Sequence, residues 1–350
     1  MGKSKGFKIL VGVLVLLIIV ALALVGLKYV KDRQATEEVN TNNVEETNTI
    51  VPEEPVKQVQ IFQGMERPIA VMIDNHKGAM PQAGLNDAYM VYEMIVEGGE
   101  TRLMLLLKGK ELDKVGPIRS SRHYFLDYAL ENDAIYVHYG WSPQAQSDIP
   151  KLGVNNINGI FYRTESFWRV KDKYAPHNAV TSTKNIKKIA EEKDYSLAST
   201  KESVLNYTTE EVTLEESDLI AQTVTIPYST SNTVRYEYDA ETQRYTRYSR
   251  DKKQVDWVTE EAVTTKNIII TFAKNATLND GENKDRQTLY NTGVKDGYYI
   301  TNGKAIKITC EKDSRSAQTV YKDLAGNEIE VNDGNTFMQI CPIDSKVTFE

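Results

Sequence analysis

Gly116-Pro117-Ile118-Arg119-Ser120-Ser121-Arg122 separates an apolar run, Leu103 to Leu107, from an amphipathic one, Tyr124 to Leu130. Gly-Pro predicts a turn, because the proline ring fixes its own φ and pushes the preceding residue out of the α region. Ser120 or Ser121 is then placed to cap the helix that follows, its hydroxyl accepting from an unpaired backbone N–H. Two arginines at such an entry, beside free N–H groups, suit an anion. They suit pairing with local carboxylates equally well, which is the commoner fate of an Arg pair taken alone.

Working outward, Pro68-Ile-Ala-Val-Met-Ile-Asp74 reads as a buried strand running into a polar loop, Asp74-Asn75-His76. Polar residues at a strand's end are where open α/β sheets place their sites. Ala88 to Val96 and Leu103 to Lys108 follow as further apolar segments. Downstream, Tyr124, Phe125, Tyr128 and Ala129 share one helical face. Ala134 to Tyr139 reads as a strand, and Ser142-Pro143 as an N-cap with Pro in the first turn of a short helix. Tyr174-Ala175-Pro176-His177-Asn178 is a second polar turn, and Thr181 or Ser182 opens a helix through Lys193. Alternating strands and helices predict an α/β-type domain over 61–204. Beyond Leu205 the pattern changes to short strands separated by Gly303, Gly326-Asn327 and Asp333-Gly334, which predicts a mostly β domain over 205–350.

The remaining residues precede these two. Ile9 to Leu27 is nineteen residues without a charge, about the length that crosses a hydrocarbon core as a helix. A cleaved signal peptide usually has a shorter apolar region, about 7–15 residues. We expect a retained anchor over 1–33, with Lys3, Lys5 and Lys8 keeping the N-terminus inside and the large region outside. Residues 34–60 carry acidic pairs and no apolar period, which predicts a disordered, self-repelling linker. The whole is expected to be an α+β protein: a membrane helix, a linker, and two domains.

The net charge of −7 argues against nucleic acid as a partner. No phosphate-loop, serine-elbow, zinc-helix or Cys-x-x-Cys motif is present, so no metal and no cofactor is expected. Cys310 and Cys341 lie in strand candidates and are equally consistent with one disulfide or two buried thiols. Chemistry therefore rests on polar residues of the first domain. Glu93 and Glu97 would share a face if both stood in one strand, and could do acid–base work with His138 or His177. The same carboxylates could hold arginines, and His138, flanked by Val137 and Tyr139, could be a core histidine. Asp74, Asn75, Arg102, Arg119, Ser120 and Arg122 are the ligand-binding candidates.

Arg67 to Asn75, Val91-Tyr92-Glu93, Val96 to Gly99, Thr101-Arg102, the Gly-Pro-Ile-Arg-Ser-Ser-Arg stretch and Ala175-Pro176-His177-Asn178 resemble the YerB-like family, built on the domain DUF3048. The likeness continues through Tyr236 to Asp239, Tyr245 to Arg247, Asn267 to Ile270, Asn302 to Ala305 and Thr336-Phe337. The resemblance implies an exported, mainly Gram-positive envelope protein with an α/β part followed by a β-rich part, and brings no catalytic mechanism. It also implies a lipid anchor in many members, whereas here no cysteine follows the apolar run. We expect a single-pass, extracytoplasmic membrane protein that binds an anionic cell-wall or envelope ligand in an arginine-lined cleft. A wall hydrolase or transferase, or a scaffold for an envelope protein partner using its tyrosine-rich β domain, are the alternatives.

Overall fold

In the computed structural model, which describes residues 57–350 apart from 283, the run Ile69–Asp74 forms strand β1 and is buried at every residue. A strand so apolar on both faces needs partners on both edges and cover on both sides. It has them. Thr101–Leu107 (β3) pairs with it antiparallel and Ile135–His138 (β4) pairs parallel; Met90–Ile95 (β2) lies beyond β3 and Asn156–Asn158 (β5) beyond β4.

The sheet does not stop at the first domain. Thr336–Pro342, near the C-terminus, pairs parallel with β2 and with Asn267–Ala273. Gly293–Thr301, Lys304–Lys312 and Val320–Asp323 complete ten strands. The division placed at 204/205 is therefore not a division of the sheet, and Lys57–Glu350 is one compact unit. Taken as a whole, the chain is mostly β, around a large mixed sheet. Its α-helices among the described residues are short, Phe125–Glu131, Pro143–Lys151 and Thr183–Glu192. Ser142 and Ser182 cap the latter two through their hydroxyls. The expected membrane helix (1–33) and nearly all of the expected linker (34–60) lie outside the described residues. Among those described, no helix is long and apolar enough to cross a membrane.

A second sheet is built on the meander Thr223–Ser229, Asn232–Asp239 and Arg244–Ser249. Its residues alternate buried and half-exposed, as expected when one face packs on a core. That face lies on the large sheet: the Tyr228 hydroxyl donates to Glu93 O and Gln339 Oε1, both at 3.1 Å. Between the sheets, Arg247 Nη2 meets Glu93 Oε2 at 2.7 Å, both side chains fully buried.

The Gly-Pro stretch departs from expectation. It does turn at Gly116, whose φ of +137° and closeness to Ala179 O (3.1 Å from a would-be Cβ) leave no room for a side chain. The following residues then run extended along the end of β1: Asp74 N donates to Pro117 O and Arg119 N to Met72 O, both at 2.9 Å. Ser121 N donates to Gly140 O at 2.9 Å. The helix begins only at Phe125, with Tyr124 as an N-cap that makes no side-chain cap bond. Ser120 and Ser121 are not caps, because their hydroxyls bond Tyr139 O and Tyr136 Oη.

Cys310 and Cys341 are two buried free thiols. Their strands are separated by two others in the sheet, about 14 Å at ~4.8 Å per strand, beyond the ~7 Å that a disulfide spans. Burial pushes the Cys310 thiol up to about 12 and Cys341 higher still. A thiol reagent should therefore label neither in the native protein and both after denaturation without reductant; a single disulfide would leave the denatured chain unlabelled.

Candidate functional site

Asp74 ends β1, and register sets Arg102 of β3 directly opposite it. Arg119 and Arg122 come from the extended stretch beside β1, Glu97 from the turn between β2 and β3, and His177 from the polar turn 174–178. These six side chains line one cleft of about 350 Å³, together with His76, Val96, Glu100, Thr101 and Lys284. Arg122 pairs closely with Glu97, its Nε at 2.7 Å from Oε1. Arg102 Nη2 stands 3.6 Å from Glu97 Oε2, while Arg102 Nη1 donates to Ser120 O at 2.7 Å. Ser120 thus contributes its backbone carbonyl, which orients an arginine. Arg286 Nε approaches Glu97 at 3.8 Å from the far side.

Asp74 is the second anchor. Its Oδ2 accepts from His177 Nδ1 at 2.7 Å and faces Arg119 Nε at 3.4 Å. The ring of His76 stacks on His177, centroids 4.3 Å apart and planes 12° from parallel. His76 Nδ1 accepts from Gly78 N at 3.1 Å. A side chain at Gly78 would crowd both imidazoles at 3.2 and 3.3 Å. Of the three cleft arginines Arg119 is the least engaged, making beside Asp74 only a long bond to Pro176 O at 3.4 Å.

The cleft is electrostatically lopsided. Arg102, Arg119 and Arg122 face Asp74 and Glu97, and Glu100 is taken up by Arg250. Burial alone would raise the Glu97 carboxyl, but Arg102 and Arg122 outweigh it and hold Glu97 below the ordinary carboxylate range. Burial and the neighbouring Arg122 bring Arg102 down to about 10, with Glu97 opposing. Arg102 therefore stays charged at neutral pH.

Three sequence candidates stand elsewhere. Glu93 is fully buried and does not reach the cleft; it accepts from Arg247, from Thr101 Oγ1 at 2.7 Å and from Asn75 Nδ2 at 3.1 Å. It does not share a strand with Glu97, because β2 ends at Ile95 and Gly98 and Gly99 turn the chain at positive φ. Asn75 is buried behind the cleft. His138 is buried in β4, with Nδ1 2.7 Å from Gly140 O, and burial lowers it to about 4. It is a neutral core histidine, outside the cleft.

Asn75 opens an amide relay. The Glu93 carboxylate only accepts, so Asn75 must present its NH₂ to it and its Oδ1 to Gln82 Nε2 at 2.9 Å. Gln82 Oε1 then accepts from Gln254 Nε2 at 2.7 Å. The relay leaves Gln254 Oε1 without a partner. It crosses from the large sheet to the second sheet's side of the molecule.

Sequence reading missed His76, Glu100, Lys284, Arg286, Arg250 and Arg247. His76 had a usable signal, since it directly follows Asp74-Asn75 at a strand's polar end. Glu100 stands in the same short turn as Glu97, and the other four arrive from more than a hundred residues away in segments with no distinguishing pattern.

Fold and cleft together define a two-sheet β protein with a cationic recess at the head of its central strands. The chain belongs to the DUF3048, YerB-like family. The family model described as "Protein of unknown function (DUF3048) N-terminal domain" matches residues 56–196, and its C-terminal counterpart matches 224–338. A Bacillus subtilis (strain 168) protein named "Putative lipoprotein YerB" is 32% identical over 271 residues, covering 77% of this chain and 76% of its own. The crystal structure of YerB protein from Bacillus subtilis superposes with a TM-score of 0.72 at 29% identity, over 81% of this chain and 94% of the other.

Proposed function

We propose that this is a membrane-anchored, extracytoplasmic protein of the bacterial cell envelope whose cleft binds an anionic ligand. The anchor would be the single uncharged run Ile9 to Leu27, and the lipoprotein name of the Bacillus subtilis relative is consistent with an envelope address. One observation carries the binding reading. Three arginines converge on a recess with two carboxylates to balance them, and Arg119 leaves most of its donors free. Guanidinium forks match phosphate and carboxylate oxygens bidentately. The scaffold reading is less favoured, since Tyr228, Tyr236, Tyr245, Tyr299 and Tyr321 are buried.

Calorimetric titration of purified protein with inorganic phosphate and with anionic wall fractions tests it. Arg119→Ala should lower affinity at least about tenfold, on the scale of ~1.5–3 kcal/mol for a charged hydrogen bond, with an unchanged circular dichroism spectrum. Equal binding by wild type and variant would remove the proposal. A second reading has its own observation. The Asp74–His177 contact fixes Nδ1–H on the carboxylate and leaves Nε2 as the basic atom, the arrangement of a general base. Turnover of a wall fraction that is lost in His177→Gln while binding persists would make the cleft catalytic.

A further inference from the structure

A second recess, of about 420 Å³, adjoins the arginine cleft. His76 lines the cleft and Lys77 the recess; Glu100 lines the cleft and its partner Arg250 the recess. One layer of side chains separates them. Every charged residue lining the recess is a cation: Lys77, Arg250, Lys252 and Lys253. Arg250 is engaged by Glu100 and by Asn75 O. The three lysines are exposed and make no ion pair among the described residues; Asp251, between Arg250 and Lys252, is not in the lining. On a chain of net charge −7 this is a local inversion of sign.

The rest of the lining limits the occupant. Met80, Pro81 and Val255 give it an apolar floor, and no aromatic side chain lines it to act as a platform for sugar rings. Ser249 and Gln254 stand in its wall, 2% and 4% exposed, with Ser249 Oγ and Gln254 Oε1 unpartnered. The relay from Glu93 makes Gln254 Oε1 an acceptor, which calls for a donor such as a hydroxyl.

We infer that the occupant is a flexible polyol-phosphate chain lying across both cavities, one phosphate among Arg102, Arg119 and Arg122 and the next among Lys77, Lys252 and Lys253. Methylene groups would lie on the apolar floor and hydroxyls face the Ser249–Gln254 wall. The inference rests on the anion reading of the cleft and deepens it from a single anion to a polymer. Two recesses side by side suit a chain better than a flat lipid surface.

The test is titration of the full-length protein with inorganic phosphate, with glycerol-phosphate oligomers of increasing length, and with phosphatidylglycerol vesicles. Wild type is compared with the triple variant Lys77→Glu, Lys252→Glu, Lys253→Glu. Affinity in wild type should rise with oligomer length. The triple variant should lose that gain by about tenfold or more while binding inorganic phosphate as before. Its slope of log affinity against log salt should fall by about 0.7, the share of the single phosphate held by the three lysines. No length dependence, or the same gain in the variant, overturns the inference. Lysine-dependent binding to vesicles with none to oligomers overturns it in favour of a membrane surface. Lysine-dependent oligomer binding without any phosphate binding would uphold the polymer site and refute the single-anion reading of the arginine cleft.

Discussion

Arg247→Met should cost about 3–5 kcal/mol of folding stability, the range for breaking a buried ion pair by removing one partner. Both side chains of the Arg247–Glu93 pair are fully buried, so the substitution leaves a carboxylate between two sheets with no route to water. Thr101 and Asn75 would still donate to it, but neither brings a charge. The double variant Arg247→Met, Glu93→Gln removes both charges and keeps an acceptor for Thr101 and Asn75. It should regain most of the loss. Urea denaturation of both variants checks this. A single variant within about 1 kcal/mol of wild type, or a double variant no better than the single, would show that the pair does not hold the sheets together. Cleft affinity measured on the double variant adds a second readout, because Asn75 and Thr101 link Glu93 to the cleft wall.

Acid should unfold the protein early. Burial lowers both His123 and His138 to about 4, against ~6.5 in an unfolded chain. The sign follows from where protons bind. Below about pH 6.5 the unfolded chain takes up protons that the folded histidines refuse, so stability is complete above that pH and is lost as pH falls toward 4. Each histidine costs about 1.4 kcal/mol per pH unit in that window. Asp127 works the other way. Burial raises its carboxyl to about 6 despite Arg315, so its contribution grows as pH falls from about 6 to 4. Two losses against one gain leave a net fall of roughly 2–3 kcal/mol between pH 7 and pH 5. Denaturation midpoints across that range read it directly. In His138→Gln the slope should shrink by about one histidine's share; an unchanged slope would mean that His138 takes its proton in the folded state.

Much of this architecture was written locally. Ile69–Asp74 announces a buried strand by its unbroken apolar run, and Ser142-Pro143 announces a helix entry, because each depends on residues within reach of one another. The helix entry expected at Ser120 or Ser121 did not form, since the N–H groups counted as free are claimed by Met72 O and Gly140 O. Met72 lies on β1 and Gly140 just past the end of β4, and no short window of sequence reveals where those strands are placed. Glu93 and Glu97 misled for a similar reason. Their spacing is right for one strand face, yet Gly98-Gly99 marks the turn that ends the strand first. The arginines of the cleft were legible as residues that needed partners. Which carboxylate each would find was settled by tertiary packing: Arg102, opposite Asp74 in register, turns to Glu97, Arg119 takes Asp74, and Arg286 and Arg250 arrive from the other half of the chain.

The position of Thr336–Pro342 has a consequence for how the molecule comes into being. This strand joins β2 to Asn267–Ala273, so the middle of the sheet is the last part to be synthesised. Until it emerges, β2 and Asn267–Ala273 both present open, apolar edges of the kind that pair with other chains. A chain released before residue 336 lacks the strand that fills the gap between β2 and Asn267–Ala273, and a growing chain carries both edges open until residues 336–342 arrive.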